Sequence, residues 1–172
     1  MLFDKRLGLK ESEVKGYTIN QRVAVRGILF HDRKILTVKS NKGDYKLPGG
    51  GVDAGESETA ALIREISEET GYLNCTVKKY IGKVVESHPD IYDCEAVFEM
   101  VSHYYICEWS GQRGEQHLDP YEEAQAFTPV WITLDEAISQ NEKILAQSAE
   151  NRWIYRENLV LNQLRNTTFF RL

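Results

Sequence analysis

Residues 50–72 read GGVDAGESETAALIREISEETGY, and in them a glycine-bearing loop gives way to a helix. Ala61, Leu62, Ile66 and the methyl group of Thr70 fall at helical spacing. Ser57 suits the N-cap, and Gly71 suits the left-handed position that closes a helix. On this helix Glu65, Glu68 and Glu69 stand at i, i+3 and i+4, so three carboxylates project from one face within about a turn. Without a cation the Glu65–Glu69 pair costs the helix roughly 0.2–0.5 kcal/mol. An acidic helix face is ordinarily a solvated one. Here, however, Arg64 adjoins the carboxylates, and Gly49-Gly50-Gly51 lets a backbone approach closely because no side chain intervenes. Carboxylate and carbonyl oxygens together are what a hard divalent cation, Mg²⁺ or Mn²⁺, prefers.

Two other readings of the glycines fail on chemistry. The Gly50 to Gly55 interval is that of a P-loop, but Glu56-Ser57 stands where Lys-Ser/Thr is required. Gly49-x-Gly51-x-x-Ala54 fits a loose dinucleotide fingerprint, but Asp53 and Glu56 put negative charge where a pyrophosphate would meet a helix N-terminus.

Gly50, Glu56, Arg64, Glu65, Ile66, Glu68, Glu69 and Gly71 follow the spacing G-x5-E-x7-R-E-U-x-E-E-x-G-U, with U a bulky apolar residue. The segment resembles the Nudix box of the MutT-like pyrophosphohydrolases, and only Tyr72, aromatic where an aliphatic residue is commoner, departs from it. The lead-in Tyr45-Lys46-Leu47-Pro48-Gly49 and the later Trp131-Ile132 before a helix extend the likeness. The resemblance implies an α/β fold, an α/β/α sandwich around a mixed sheet with the box as a loop–helix–loop. It also implies Mg²⁺-dependent hydrolysis of a nucleoside diphosphate linked to another group, with Mn²⁺ as a substitute, by attack of an activated water on phosphorus. By the same resemblance Glu65, Glu68, Glu69 and the Gly49 carbonyl are metal ligands. Arg64 orients the glutamates, and Glu56 aligns a water or ties the loop to the helix. Glu122 or Glu123 supplies a further acid, as base or ligand.

Outward from the box, 17–30 and 35–39 read as two antiparallel strands joined at His31–Lys34, and 74–86 and 95–109 as long strands. Ser110–Glu123 reads as a polar loop and 127–132 as another strand. Thr133-Leu134-Asp135-Glu136 has the form of a capping box opening a helix through about Gln147. A last helix, from about Glu150 to Leu164, is expected to anchor to the core through Trp153 and Tyr155. Strands, helix, strands, then helices point to a mixed sheet with helices packed on it, not to regular βαβ alternation. One domain is expected over 1–172: a Nudix core of about 20–146, an N-terminal extension 1–19, and a C-terminal helical extension of about 147–172.

With 172 residues and 42% apolar content the chain can close around one core, and 10% aromatics argue against whole-chain disorder. The balance of 21 Lys+Arg against 26 Asp+Glu, net −5, argues against stable nucleic-acid binding, which needs clustered cations. The apolar runs are too short to cross a bilayer, and Met1–Lys15 offers no continuous apolar segment of a secretory signal. A cytoplasmic protein is expected, with Cys75, Cys94 and Cys107 reduced. The expected partner is a small nucleotide-like molecule; a homodimer is compatible with the sequence, which does not decide it. Tyr45, His88, Tyr92, Phe98 and Tyr105 are the aromatic candidates for contacting it, though the substrate-binding set stays unknown at this level. The alternatives are a Nudix-derived nucleotide-binding module with weak catalysis and an isopentenyl-diphosphate isomerase-like enzyme.

Overall fold

A computed structural model describes residues 1–147 and 152–167. In chain order it contains β1 (Phe3–Gly8), β2 (Thr18–Ile28), β3 (Phe30–His31), β4 (Lys34–Lys39), β5 (Tyr45–Lys46), α1 (Glu58–Thr70), β6 (Thr76–Pro89), β7 (Ala96–Glu108), α2 (Pro120–Ala124), β8 (Thr128–Ile132), α3 (Leu134–Gln147) and α4 (Arg152–Arg165). The expected start of the last helix near Glu150, and residues 168–172, lie outside the described residues.

The β-rich stretch 17–30 is not one strand. It divides at Leu29: β2 runs parallel to β7, while β3 turns back on β4 through Asp32 and Arg33, at φ 47° and 64°. Two successive positive φ values make the tight turn whose twist suits a hairpin. The first sheet, ordered β1-β6-β7-β2, is mixed, with β6 and β7 antiparallel between two parallel outer pairs. The second is antiparallel, with β4 between β3 and β5 on one path and paired along its length with β8. The N-terminal segment therefore adds a strand to the first sheet, and the polar loop before β8 contains a short helix, neither of which the sequence pattern had indicated.

Helices cover both faces. Val25, Leu29 and Leu36 pack with Ala61, Leu62 and Ile66 of α1. On the opposite side Ile28, Val84 and Tyr104 pack with Ala137 and Ile138 of α3 and with Val160, Leu161 and Leu164 of α4. Beyond the C-terminus of α1 an aromatic cluster closes the first of these cores. Trp109 stacks between Tyr72 (centroids 5.1 Å) and His31 (5.5 Å), and Trp131 meets both Tyr72 and Trp109 edge-on. The Trp131 indole N–H donates to the Tyr72 hydroxyl at 2.7 Å. Among the described residues no helix is long and apolar enough to cross a membrane.

Candidate metal and phosphate site

The site is built where the loop after β5 meets α1. Residues 48–52 run along the free edge of β2: the N–H of Gly27 donates to Pro48, that of Val25 to Gly50, and that of Val52 to Val23. This fixes the glycines against α1. A Cβ on Gly50 would overlap the Glu65 carboxylate, and Gly49 sits at φ 137° with the Val25 carbonyl where a Cβ would go. Both positions need glycine because the backbone itself borders the acids. α1 begins as its sequence dictates, with Ser57 Oγ accepting the Ala60 N–H at 3.2 Å, and ends on Gly71 at φ 73°.

Carboxylate oxygens of Glu65, Glu69 and Glu122 lie within 4.8 Å of one another. Glu69, only 4% exposed, accepts the Gly49 N–H at 2.7 Å. Burial pushes its carboxyl upward, against the pull of Arg26 and of that backbone bond. Burial also raises Glu65, against Arg64. Two carboxyls that burial resists charging, beside a third and a close backbone, are the donor set of a hard divalent cation. The residues therefore fit such an ion.

Of the other anticipated residues, Glu68 stays outside this cluster: its side chain is 40% exposed and takes Arg64 Nη1 at 3.1 Å. Arg64 hydrogen-bonds four groups and lies 3.8 Å from the Asp53 carboxylate. Its Nε and Nη2 donate to the two oxygens of Glu56 (3.0 and 2.9 Å), Nη1 also to Glu65 (2.9 Å), and Nη2 also to the Gly51 carbonyl (3.2 Å). These contacts, with Glu56 first, raise the guanidinium's pKa, and the same contact leads in lowering Glu56. Of the loop pair, Glu122 joins the cluster. It is the third residue of α2, and its side chain accepts the Asp119 N–H (2.9 Å) in a capping box, which turns it in. Glu123 is exposed on the same helix and outside the cluster.

A cavity of about 700 Å³ lies between the first sheet and α4, lined by Leu7, Leu9, His88, Phe98, Met100 and Trp153 among others. His88 and Phe98, two of the five aromatic candidates, stack as cross-strand neighbours on its sheet wall at 5.2 Å. Tyr45 instead packs against the core, Tyr92 is 93% exposed, and Tyr105 donates to Glu58 at 2.5 Å. Tyr155 is 64% exposed and Trp153 borders the cavity, so neither anchors α4 as expected; Ile154, Val160, Leu161 and Leu164 do.

Sequence reasoning missed four residues here. Lys46 lays its ammonium over the rings of Phe127 (3.7 Å) and Trp153 (5.3 Å), and burial lowers its pKa against the charge of Glu69. Arg26, in mid-β2, acts electrostatically on Glu65, Glu69 and Lys46. Asn141 of α3 pairs with both backbone groups of Tyr45 (2.8 and 2.9 Å), and Glu157 of α4 accepts the Leu47 N–H at 3.0 Å. A cation inside the apolar run Val23-Ala24-Val25-Arg26-Gly27-Ile28 was the one visible signal.

A family model described as "NUDIX domain" matches residues 20–154. An ADP-ribose pyrophosphatase of Methanocaldococcus jannaschii is 42% identical over 98 residues, 52% of this chain and 56% of that protein. A putative 8-oxo-dGTP diphosphatase of Bacillus subtilis is 42% identical over 72 residues, 41% of this chain and 46% of that protein. The chain thus spans about half the length of these relatives. Among solved structures, a NUDIX hydrolase from Nitrosomonas europaea superposes with TM-score 0.56 at 19% identity, over 72% of this chain and 79% of that one. A MutT protein from Methanosarcina mazei gives 0.51 at 16% identity, over 86% and 96%. These two share the fold.

Proposed function

Since the chain belongs to the NUDIX domain family, we propose that it is a pyrophosphohydrolase that cleaves the diphosphate linkage of a nucleoside diphosphate derivative, with ADP-ribose the first substrate to test. The observation that carries this reading is the meeting of Glu65, Glu69 and Glu122 within 4.8 Å beside the Gly49-Gly50 backbone. The ADP-ribose pyrophosphatase with 42% identity over 98 residues supports the choice of substrate.

Glu65, Glu69 and Glu122 would hold Mg²⁺ or Mn²⁺. When bound, such an ion offsets phosphate charge and lowers the pKa of water. The chain's own contribution is placement. Arg64 grips Glu56, Glu65 and Glu68 together, so the acids on α1 and the loop keep one arrangement while their charges change. The β2-paired glycine loop brings backbone within reach of the phosphates without a side chain in the way. The cavity under Trp153, with the stacked His88 and Phe98, accepts a planar or apolar group attached to the diphosphate. In the reaction the oxygen of water joins one phosphorus, and the bridging oxygen leaves with the other.

The two alternatives lack a supporting feature. None of the three cysteines joins the carboxylate cluster as an isomerase-type proton relay would require, and burial pushes the thiols of Cys75 and Cys107 up to about 11 and about 12. All three acids of the cluster are in place, as a binding module would not require. The test is a panel of nucleoside diphosphate derivatives with Mg²⁺, in ¹⁸O-water. Release of two phosphorylated products from ADP-ribose, one bearing ¹⁸O on phosphorus, and its loss in EDTA are expected. Full turnover in chelator, or label on carbon, rejects the mechanism.

A further inference from the structure

Two cations stand beside the carboxylates with no bond to make. The Nε of Arg26 is buried without a hydrogen-bond partner, and among the described residues its guanidinium forms no ion pair within 4.0 Å. Lys46 likewise spends none of its N–H groups on a carboxylate; its ammonium is held by the faces of Phe127 and Trp153. The acids near it are otherwise engaged. Glu157 gives one oxygen to Arg156 (2.8 Å) and the other to the Leu47 N–H, Asp44 takes the Ser40 hydroxyl, and Glu69 takes the Gly49 N–H. The two half-buried cations repel each other and lose hydration, and the ring contacts of Lys46 supply a hydrogen-bond partner to neither. An anion arriving between them removes both penalties.

We propose that Arg26 and Lys46 form a phosphate clamp that binds the diphosphate group of the substrate on the cavity side of the carboxylates. The proposal rests on the pyrophosphohydrolase reading and names two residues for it outside the glutamate-rich helix. Charge balance couples the clamp to the acids. Uptake of a divalent cation leaves the three-acid cluster less negative overall, so the countercharge that it lends Arg26 and Lys46 is reduced as the site fills. The clamp then binds anions more tightly, and by reciprocity a bound diphosphate tightens the hold on the cation. The placement of Trp153 under Lys46 also ties the clamp to the cavity, so a group attached to the diphosphate is directed towards His88 and Phe98.

The test is calorimetric titration of the intact protein in Mg²⁺ with α,β-methylene-ADP, in which carbon replaces the scissile oxygen, and with inorganic pyrophosphate and adenosine as separate probes. Lys46→Met and Arg26→Gln should each weaken binding of methylene-ADP and pyrophosphate by ~10-fold or more, the worth of one charged hydrogen bond. Adenosine binding should be unchanged, and Arg26→Lys should recover part of the loss. Both neutral variants should melt at or above the wild-type temperature, since each sheds an unpaired cation; a structural role predicts the reverse. Wild-type affinity in both variants, a loss that tracks a fall in melting temperature and extends equally to adenosine, or no binding of pyrophosphate by the wild type overturns the clamp. If pyrophosphate binds through these residues but no nucleotide derivative is hydrolysed, the clamp stands and the proposed function falls. If hydrolysis proceeds equally in wild type and variants, the function stands and the clamp falls.

Discussion

Glu69 concentrates the electrostatics of the site in one carboxyl. Burial pushes its pKa up to about 8 from an ordinary 4.5, with Arg26 and the Gly49 N–H opposing. A folded-state pKa above the unfolded one means that the native protein holds the proton more tightly. Its contribution to stability is therefore complete below about pH 4.5 and is lost as pH rises through about 8. In EDTA, melting temperature should fall from pH 5 to pH 8. Added Mg²⁺ should recover more of it at pH 8 than at pH 6, because the ion takes the deprotonated acid and releases its proton. Glu69→Gln cannot ionise, so its chelated form should melt with a flatter pH dependence and at least as high at pH 8. It should also lose ~100-fold or more in kcat/KM, as expected for a removed ligand at the reacting phosphate. Thermal melts across pH with and without Mg²⁺ read the first effect and steady-state kinetics the second. A wild-type protein whose chelated stability ignores pH would remove Glu69 from this role.

At the level of elements, β5 shows how helices substitute for a missing strand. It pairs with β4 on one edge, and on the other Asn141 accepts the Tyr45 N–H and donates to the Tyr45 carbonyl, as a neighbouring strand would. Asn141 is fully buried, so Asn141→Leu would strand two backbone groups, at about 1–3 kcal/mol each. The variant should lose about 2–6 kcal/mol in urea unfolding, and the loop that begins two residues after β5 should exchange its amide hydrogens faster. A loss below about 0.5 kcal/mol, the scatter of ordinary surface substitutions, would show that water replaces the side chain at no cost. The same contrast explains what could be read in advance. Helix α1 announces itself because every mark is local: the Ser57 cap, the 3.6-residue period and Gly71. Glu65 and Glu69 were legible for the same reason. The division at Leu29 was not, because β2 takes its place from β7, with Thr18 opposite Ala96, and no local signal carries that pairing. Strand β1 buries only Phe3 fully and so shows no alternation. Helix α2 did carry its signature, Asp119-Pro120 with Glu122 three residues after the cap, but five residues among polar neighbours read as loop. That cap also separates Glu122 from Glu123, which spacing alone could not.

Across the whole molecule, the segments flanking the motif complete the cavity that the sheet begins. Phe3 of β1 lies in the same core cluster as Val160, Leu161 and Leu164 of α4 and meets the Tyr104 ring edge-on at 5.4 Å, while Leu7 and Leu9 wall the cavity opposite Trp153. Phe3→Ala should cost about 3–5 kcal/mol, the usual loss for a buried phenylalanine, observable as a lower urea midpoint. Because the carboxylates lie beyond the far edge of the sheet from β1, the variant should raise KM for a nucleoside diphosphate derivative more than it lowers kcat. An unchanged KM would separate β1 from substrate contact. The three tryptophans also divide between these regions: Trp109 and Trp131 sit in the stacked cluster with Tyr72 and His31, and Trp153 lies beside the cavity under the Lys46 ammonium. Coupled indoles so near one another share their excited states and give a circular-dichroism couplet that vanishes when the stack opens, whereas Trp153 emits according to what lies beside it. The protein thus carries two built-in optical probes, one reporting whether the fold is intact and the other whether the cavity is filled.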